Sequence, residues 1–233
     1  MKNENVKKII NYFSRTELTL WSASVILITV SFCVFDRTNY LSLAASITGA
    51  TSLIFCAKGN PFGQLLMVFF SIMYAVISYT FRYYGEMITY LGMTAPMAVF
   101  SLVSWMRNPY NGNRAEVRVN RLKSGKIFFM VILTAAVTTV FYFILKRYGT
   151  ANLFPSTVSV ATSFIAVFLT FQRSAYYALA YASNDIVLII LWTLAARADI
   201  SYLSVIICFV MFLVNDIYGY INWSRMQKRQ EQK

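Results

Sequence analysis

The sequence predicts an all-α membrane protein with eight transmembrane helices: one extra N-terminal helix, then two parallel three-helix repeats joined by a linker helix (3+1+3). Three observations support this fold class. The chain of 233 residues is 58% hydrophobic and 13% charged, whereas a soluble domain carries about 25% charged residues. Eight apolar runs approach the roughly 20 residues that a membrane-spanning helix needs. Landmark residues between these runs recur at a nearly constant offset.

The eight apolar runs are separated by charged or turn-forming residues, which interrupt hydrophobic helices. A signal peptide is the alternative for the first run. That run is longer than the apolar core of most signal peptides, and no small-residue cleavage pattern precedes Asp36. We therefore expect an uncleaved first span. The expected spans are residues 18–35, 40–57, 62–81, 85–106, 127–145, 154–171, 176–195 and 200–222.

The basic residues are distributed unevenly between alternate breaks. Sixteen of the 21 Lys and Arg residues lie in the two tails and in every second break, and five lie in the other breaks. Cytoplasmic loops carry the excess of positive charge in membrane proteins, so the pattern predicts that both termini are cytoplasmic. It also argues against a nucleic-acid partner, because the basic residues follow membrane topology and form no folded polar surface.

Two halves of the chain repeat the same landmarks, which predicts an internal duplication. The landmark pairs are separated by 115, 115 and 118 positions: Lys58 and Arg173, Arg82 and Arg197, Trp105 and Trp223. Four spans separate the copies, and an even number keeps both copies in the same orientation. The expected domains are residues 1–39 (tail and extra helix), 40–106 (first repeat), 107–150 (basic cytoplasmic loop and linker helix), 151–225 (second repeat) and 226–233 (cytoplasmic tail).

The residues that catalysis and metal binding require are scarce. The chain has no histidine, which removes Ser-His-Asp and Cys-His arrangements and histidine metal sites. Its three cysteines lie inside apolar runs without a CxxC spacing, and no GxxxxGK[ST] phosphate loop is present. We therefore expect no catalytic residues, no metal, no cofactor and no enzyme activity. A membrane-embedded enzyme and a ligand-free assembly subunit are the alternative classes.

Polar residues within the spans predict a substrate site inside the membrane, because such residues are costly in lipid and usually functional. On spans three, four, seven and eight they follow helical spacing and form stripes. The predicted substrate-binding residues are Gln64, Tyr74, Tyr90, Thr94, Tyr177, Tyr181, Asn184, Asp185, Trp192, Asn215 and Tyr218.

Three neighbouring features have other expected roles. Pro96 interrupts the hydrogen-bond ladder of the fourth span, which suits a cavity or a hinge. Asp216 points about 100° away from the Asn215 stripe, so we expect it to pair structurally or to face the cytoplasmic gate. Tryptophans near span ends favour anchoring at the membrane interface: Trp21, Trp105 and Trp223.

The chemistry of the stripes suits a small solute that joins a flat ring to a sugar. Amide and carboxylate groups donate to and accept from hydroxyl groups. Aromatic faces hold a flat ring, and a cationic ring especially well. A phosphorylated solute fits poorly, because the expected spans contain no Lys or Arg to pair with phosphate.

Three segments resemble the PnuC family of bacterial nicotinamide riboside transporters: "KGNPFGQLLMVFFSIMYAVISYTFRYYGE" (58–86), "YYALAYASNDIVLIILW" (176–192) and "VNDIYGYINW" (214–223). The resemblance implies a 3+1+3 core like that of full-length SWEET transporters. It also implies facilitated diffusion of nicotinamide riboside through the bacterial cell membrane, in a homotrimer. A separate cytoplasmic riboside kinase would trap the substrate and feed NAD synthesis.

The penultimate span departs from the family pattern. Family members commonly carry tryptophans a turn apart before the acid, whereas this chain has Tyr177 and Tyr181 before Asp185. Tyrosine keeps the flat face and adds a hydroxyl group. Relatives with altered pockets carry thiamine, riboflavin or other nucleoside-like vitamins, which are therefore the alternative substrates.

Overall fold

Each of the eight expected spans forms a helix that is long and apolar enough to cross a membrane. The computed structural model describes residues 12–80, 83–150 and 152–232. The helices are α1 (Arg15–Phe35), α2 (Tyr40–Ala57), α3 (Pro61–Thr80), α4 (Tyr84–Met106), α5 (Ser124–Arg147), α6 (Leu153–Phe171), α7 (Tyr177–Ala196) and α8 (Leu203–Glu231). A single 3-10 turn, Ile200–Tyr202, precedes α8. The eight-helix, all-α prediction is confirmed for the membrane-spanning part of the chain.

The loop after α4 contains a short antiparallel hairpin that the sequence analysis did not predict. Its strands are β1 (Pro109–Tyr110) and β2 (Asn113–Val117). The two residues between them, Asn111 and Gly112, have φ angles of 48° and 77°. Asn-Gly is the favoured pair for such a turn because both residues tolerate positive φ. The hairpin packs at the end of the bundle that carries both ends of the described chain, which we call the terminal face.

Six of the helices form a ring of two triplets. Helices α2, α3 and α4 contact one another in chain order, and so do α6, α7 and α8. The ring closes because α4 contacts α6 and α8 contacts α2, so the last helix of each triplet meets the first helix of the other. A parallel two-fold repeat requires this exchange of contacts. The 3+1+3 arrangement is therefore confirmed.

The α4–α6 and α8–α2 contacts, which we call the repeat junctions, use equivalent hydrogen bonds. The Nε1 group of Trp105 donates to the carbonyl oxygen of Thr170 at 2.9 Å, and that of Trp223 donates to Cys56 at 2.8 Å. Both tryptophans are 0% exposed, and their ring centroids are 5.2 Å apart. Membrane-interface anchoring is therefore wrong for Trp105 and Trp223, because the indoles lie inside the protein.

Helices α1 and α5 lie outside the ring. Helix α1 packs against α2 and α8 and begins at a capping box, in which Ser14 and Glu17 each accept a hydrogen bond from the other's backbone N–H. Helix α5 packs mainly on α6, and only 6% of its most apolar 18-residue stretch is buried within the protein. Its bare apolar surface suits surrounding lipid, where hydrophobic side chains need no protein partner.

Helix α4 changes its winding beside the cavity described below. Residues Tyr90–Thr94 form a π-helical turn, closed by a hydrogen bond from the Ala95 N–H to the Tyr90 carbonyl oxygen. Pro96 follows at once, and its ring would clash with the carbonyl four residues earlier in a regular α-helix. The wider turn relieves that clash. The predicted interruption at Pro96 is thus present as a π-turn, a feature frequent at functional sites.

Close packing of α2 on α3 depends on Gly63. A Cβ atom at this position would lie 2.6 Å from the backbone nitrogen of Cys56 and 2.9 Å from the Ser52 carbonyl oxygen. We expect Gly63→Ala to destabilise the protein by about 1–3 kcal/mol, because backbone has to move to admit the methyl group. Thermal unfolding of the purified protein in detergent measures this. The control, Gly125→Ala, adds a methyl group where no atom lies within 4 Å; equal melting temperatures for both variants would contradict the prediction.

Candidate substrate site

A small cavity lies at the centre of the ring, and all six ring helices contribute to it. Its volume is about 30 Å³. The polar residues that line it come from α4, α6, α7 and α8: Tyr90, Thr94, Ser163, Tyr181, Asn184, Asp185 and Asp216. The rest of the lining is apolar, from α2, α3 and α8: Leu53, Met67, Phe70, Phe209 and Phe212. Five predicted site residues, on α4 and α7, therefore meet at one point.

Asn184 is held in place by α6. Its Oδ1 atom accepts hydrogen bonds from the hydroxyl groups of Ser159, Thr162 and Ser163 at 3.4, 2.8 and 3.0 Å. Within the described chain, its Nδ2 group makes no hydrogen bond to another residue. Three hydroxyl donors fix which face of the amide is the acceptor. The side chain is thus oriented with its two N–H donors available to a ligand.

Asp185 and Asp216 meet across the cavity from α7 and α8. Both residues line the cavity of about 30 Å³, and each is 4% exposed. The Oδ2 atom of Asp185 is buried without a partner in the described chain. An acceptor left unpaired inside a protein costs free energy, so this atom is a candidate contact for a ligand.

The sequence analysis placed Asp216 outside the site, and the structure corrects this. Asp216 follows Phe209 and Phe212 at spacings of seven and four residues, and all three line the cavity. The helical stripe that faces the centre is therefore the aromatic one, a spacing that is readable from the sequence. The sequence analysis judged the direction of Asp216 from the Asn215 stripe. That stripe lies on a different face of α8, so it did not show which residues face the cavity.

Asn215 and Tyr218 face α1 and not the cavity. The Nδ2 group of Asn215 donates to the Ser24 hydroxyl at 2.9 Å, and the Tyr218 hydroxyl donates to Glu17 at 3.1 Å. Glu17 is 2% exposed and also pairs with Lys58 at 3.1 Å. In this conformation both predicted ligands therefore dock the extra helix. The sequence could not show that these two residues contact α1, since it does not reveal which face of α8 the extra helix packs against.

Aromatic layers close the cavity on both sides. Towards the terminal face, Tyr177 lies 4.9 Å from Trp223 and 6.3 Å from Trp105, measured between ring centroids. Towards the opposite face, Trp192 lies 6.3 Å from Tyr74 and 5.4 Å from Tyr202. The predicted site residues Tyr74, Tyr177 and Trp192 thus belong to the closing layers and do not line the cavity.

Gln64, on α3, is also outside the lining. Its Nε2 group donates to the Cys56 sulfur at 3.2 Å, and the residue is 3% exposed. This contact joins α3 to α2 on the terminal side of the cavity. Gln64 would have to leave Cys56 to contact a ligand.

The described residues contain no group of three or more Cys, His, Asp or Glu side chains that could hold a metal ion. The lining of the central cavity instead combines hydroxyl, amide and carboxyl groups with aromatic rings. Such a surface can bind a small polar solute by hydrogen bonds and ring contacts. It offers no cationic group to an anion.

Comparison with known proteins agrees with a transporter. The family model "Nicotinamide mononucleotide transporter" matches residues 39–225, which begin just before α2 and leave α1 out. The chain belongs to this family. The matched range includes the linker α5 and the membrane-spanning part of all six ring helices, and family membership points to transport.

Three members or solved structures of the nicotinamide mononucleotide transporter family illustrate the similarity. A Neisseria mucosa protein named "Nicotinamide riboside transporter PnuC" is 29% identical over 200 residues, 84% of this chain and 76% of the relative. The Haemophilus influenzae protein of the same name is 22% identical over 211 residues, 90% of each chain. The solved structure titled "Crystal structure of the Vitamin B3 transporter PnuC" superposes with a TM-score of 0.81 at 27% identity, over 94% of both chains.

Proposed function

We propose that this protein mediates facilitated diffusion of nicotinamide riboside into the cell as a uniporter. The observation that carries this proposal is the central cavity, to which every helix of both triplets contributes an amide, hydroxyl, carboxyl or apolar side chain. The relatives named as nicotinamide riboside transporters support the same substrate. We also propose that the protein lies in the cell membrane with both termini in the cytoplasm and that it forms a homotrimer. A separate cytoplasmic riboside kinase would trap the substrate.

The family name suggests a mononucleotide, but the lining favours the riboside. Phosphate groups are bound in proteins by Arg, Lys or clustered backbone N–H groups. Among the described residues that line the cavity, none is Lys or Arg. A phosphate would therefore be buried without a counter-charge, which is strongly unfavourable.

Transport requires the cavity to enlarge. Its volume of about 30 Å³ is far below the roughly 300 Å³ of a small ligand pocket. The last helix of each triplet packs on the first helix of the other at the repeat junctions, α2 with α8 and α4 with α6, and aromatic side chains such as Tyr74 and Trp192 also meet across the triplets. Opening either end therefore means separating these junctions and the aromatic layer beside them, and the π-turn of α4 lies where such a motion would bend the helix.

Uptake into proteoliposomes tests the proposal. With radiolabelled nicotinamide riboside outside, we expect uptake that needs neither ATP nor a proton gradient and stops when the internal and external concentrations are equal. Nicotinamide mononucleotide at the same concentration should not compete. Accumulation of the unmodified riboside above the external concentration, driven by an imposed proton gradient, would contradict uniport.

The alternative substrates are thiamine, riboflavin and other nucleoside-like vitamins. Tyr181 lines the cavity where family members commonly carry tryptophan, so its hydroxyl group alters the pocket. Calorimetric titration of the purified protein with nicotinamide riboside, thiamine, riboflavin and nicotinamide separates these substrates. Nicotinamide riboside is expected to bind most tightly, and tighter binding of thiamine would replace the substrate while leaving the transport mechanism in place.

A further inference from the structure

Among the described residues, the lining of the cavity gives the acid pair no cationic counter-charge. The groups around it are uncharged. Phe70 of α3, Tyr90 of α4, Ser163 of α6 and Tyr181 of α7 line the same cavity, and the thiols of Cys56 and Cys208 lie near the pair. The salt bridges recorded for the described chain lie at the terminal face and involve Lys58, Arg121 and Arg229. Within the part of the chain that the structure describes, a negative charge on the pair is therefore left to be balanced by a cation that enters the cavity.

The geometry of the pair sets how large that charge is. Asp185 and Asp216 line the same cavity of about 30 Å³, and both are buried. Two carboxyl groups this close in a water-poor site share one proton, because two full negative charges side by side repel and are poorly solvated. The pair then carries a single negative charge.

Two further features of the cavity point to a ligand at this position. The Oδ2 atom of Asp185 is buried with no partner in the described chain. Aromatic rings surround the same space, with the Phe70 centroid 6.0 Å from that of Tyr90 and 5.6 Å from that of Phe212. Ring faces attract cations. An unpaired carboxylate oxygen and a set of ring faces are both complementary to a flat organic cation.

We propose that the Asp185–Asp216 pair recognises substrate charge: with one shared proton it selects a monovalent pyridinium-type cation over a neutral ring of the same shape. This inference rests on the proposed function, since nicotinamide riboside carries one fixed positive charge on its ring nitrogen. The charges of pair and substrate cancel, so the occupied site is neutral. No proton or metal ion has to accompany the substrate, which agrees with uniport.

The test compares two ligands that differ in charge but hardly in shape: nicotinamide riboside and its neutral 1,4-dihydro form. Calorimetric titration of the purified full-length protein is expected to give at least a tenfold preference for the cation. Asp185→Asn and Asp216→Asn should each keep this preference, because an amide imitates the protonated member and the other carboxylate keeps the charge. The double variant Asp185→Asn/Asp216→Asn should lose the preference while still binding the neutral form.

The matched control changes two acids that do not line the cavity, the half-buried Asp36 and the exposed Asp199. Asp36→Asn/Asp199→Asn makes the same change in net charge, and the preference should stay as in the wild-type protein. Size-exclusion profiles and melting temperatures establish that each variant is folded.

Four results would overturn the inference. A double variant that still prefers the cation would remove the pair from charge recognition. Loss of the preference in either single variant would rule out the shared proton. Equal binding of both ligands by the wild-type protein would reject the charge assignment and leave the proposed function intact, whereas binding of neither ligand would reject both.

Discussion

Replacing Asn184 by alanine is expected to lower the affinity for nicotinamide riboside about 100-fold, since each buried polar group left unpaired costs about 1–3 kcal/mol. The change removes the Nδ2 donors that face the cavity. It also removes the acceptor of three hydroxyl groups on α6. The ribose hydroxyl groups of the substrate and the three hydroxyl groups of α6 would then both face the space that the amide has left. Calorimetric titration of wild-type and variant protein gives the ratio of dissociation constants.

Two serine variants show whether the effect belongs to the site. Ser183→Ala changes the adjacent residue of α7, whose exposed hydroxyl group bonds only to its own helix at Leu179, and should leave the affinity unchanged. Ser163→Ala removes one of the three donors to Asn184 and should cause a smaller loss than Asn184→Ala, because the hydroxyl groups of Ser159 and Thr162 still hold the amide. An Asn184→Ala variant with unchanged affinity would exclude this residue from the substrate site.

Membrane topology is the part of the fold that the sequence predicts well. Each span had to be long, apolar and bounded by charge, and these requirements leave few alternatives in a bilayer. The repeat was visible for a related reason, because equivalent loops keep equivalent basic residues. Trp105 and Trp223 show the limit of that reasoning. Their offset marked the duplication correctly, but their burial follows from how the triplets pack, and spacing alone does not contain it.

The site was only partly predictable, because a helical stripe shows which residues share a face and not what that face meets. On α7 the stripe that holds Asn184 and Asp185 does face the cavity. On α8 two stripes compete. The polar one, with Asn215 and Tyr218, docks α1, and the aromatic one carries Asp216 into the centre. The extra helix therefore decides the assignment, and its docking face could not be inferred from its own apolar sequence.

The two indoles at the repeat junctions are expected to hold the ring together. Replacing Trp223 by alanine should cost about 3–5 kcal/mol of stability, since a large buried side chain is removed. The carbonyl oxygen of Cys56 would also lose its donor. Trp223→Phe fills most of the space but cannot donate, so it should cost less and isolates the hydrogen bond. By the pseudo-symmetry of the ring, Trp105→Ala and Trp105→Phe should have the same effects as the corresponding Trp223 variants. In both, the carbonyl oxygen of Thr170 loses its donor.

Thermal unfolding in detergent measures these losses, and the pair allows a test of coupling. Because the two indole centroids are 5.2 Å apart, the cost of the double phenylalanine variant should differ from the sum of the single costs. Trp21→Phe is the matched control: Trp21 donates to Thr51 at 3.1 Å on a half-buried surface, so its loss should be small. If Trp21→Phe destabilised the protein as much as Trp223→Phe, the hydrogen bonds at the repeat junctions would contribute no more to stability than one on a half-buried surface. A strictly additive double variant would show that the two junctions open independently, and alternating access would then require no concerted separation of the triplets at the terminal face.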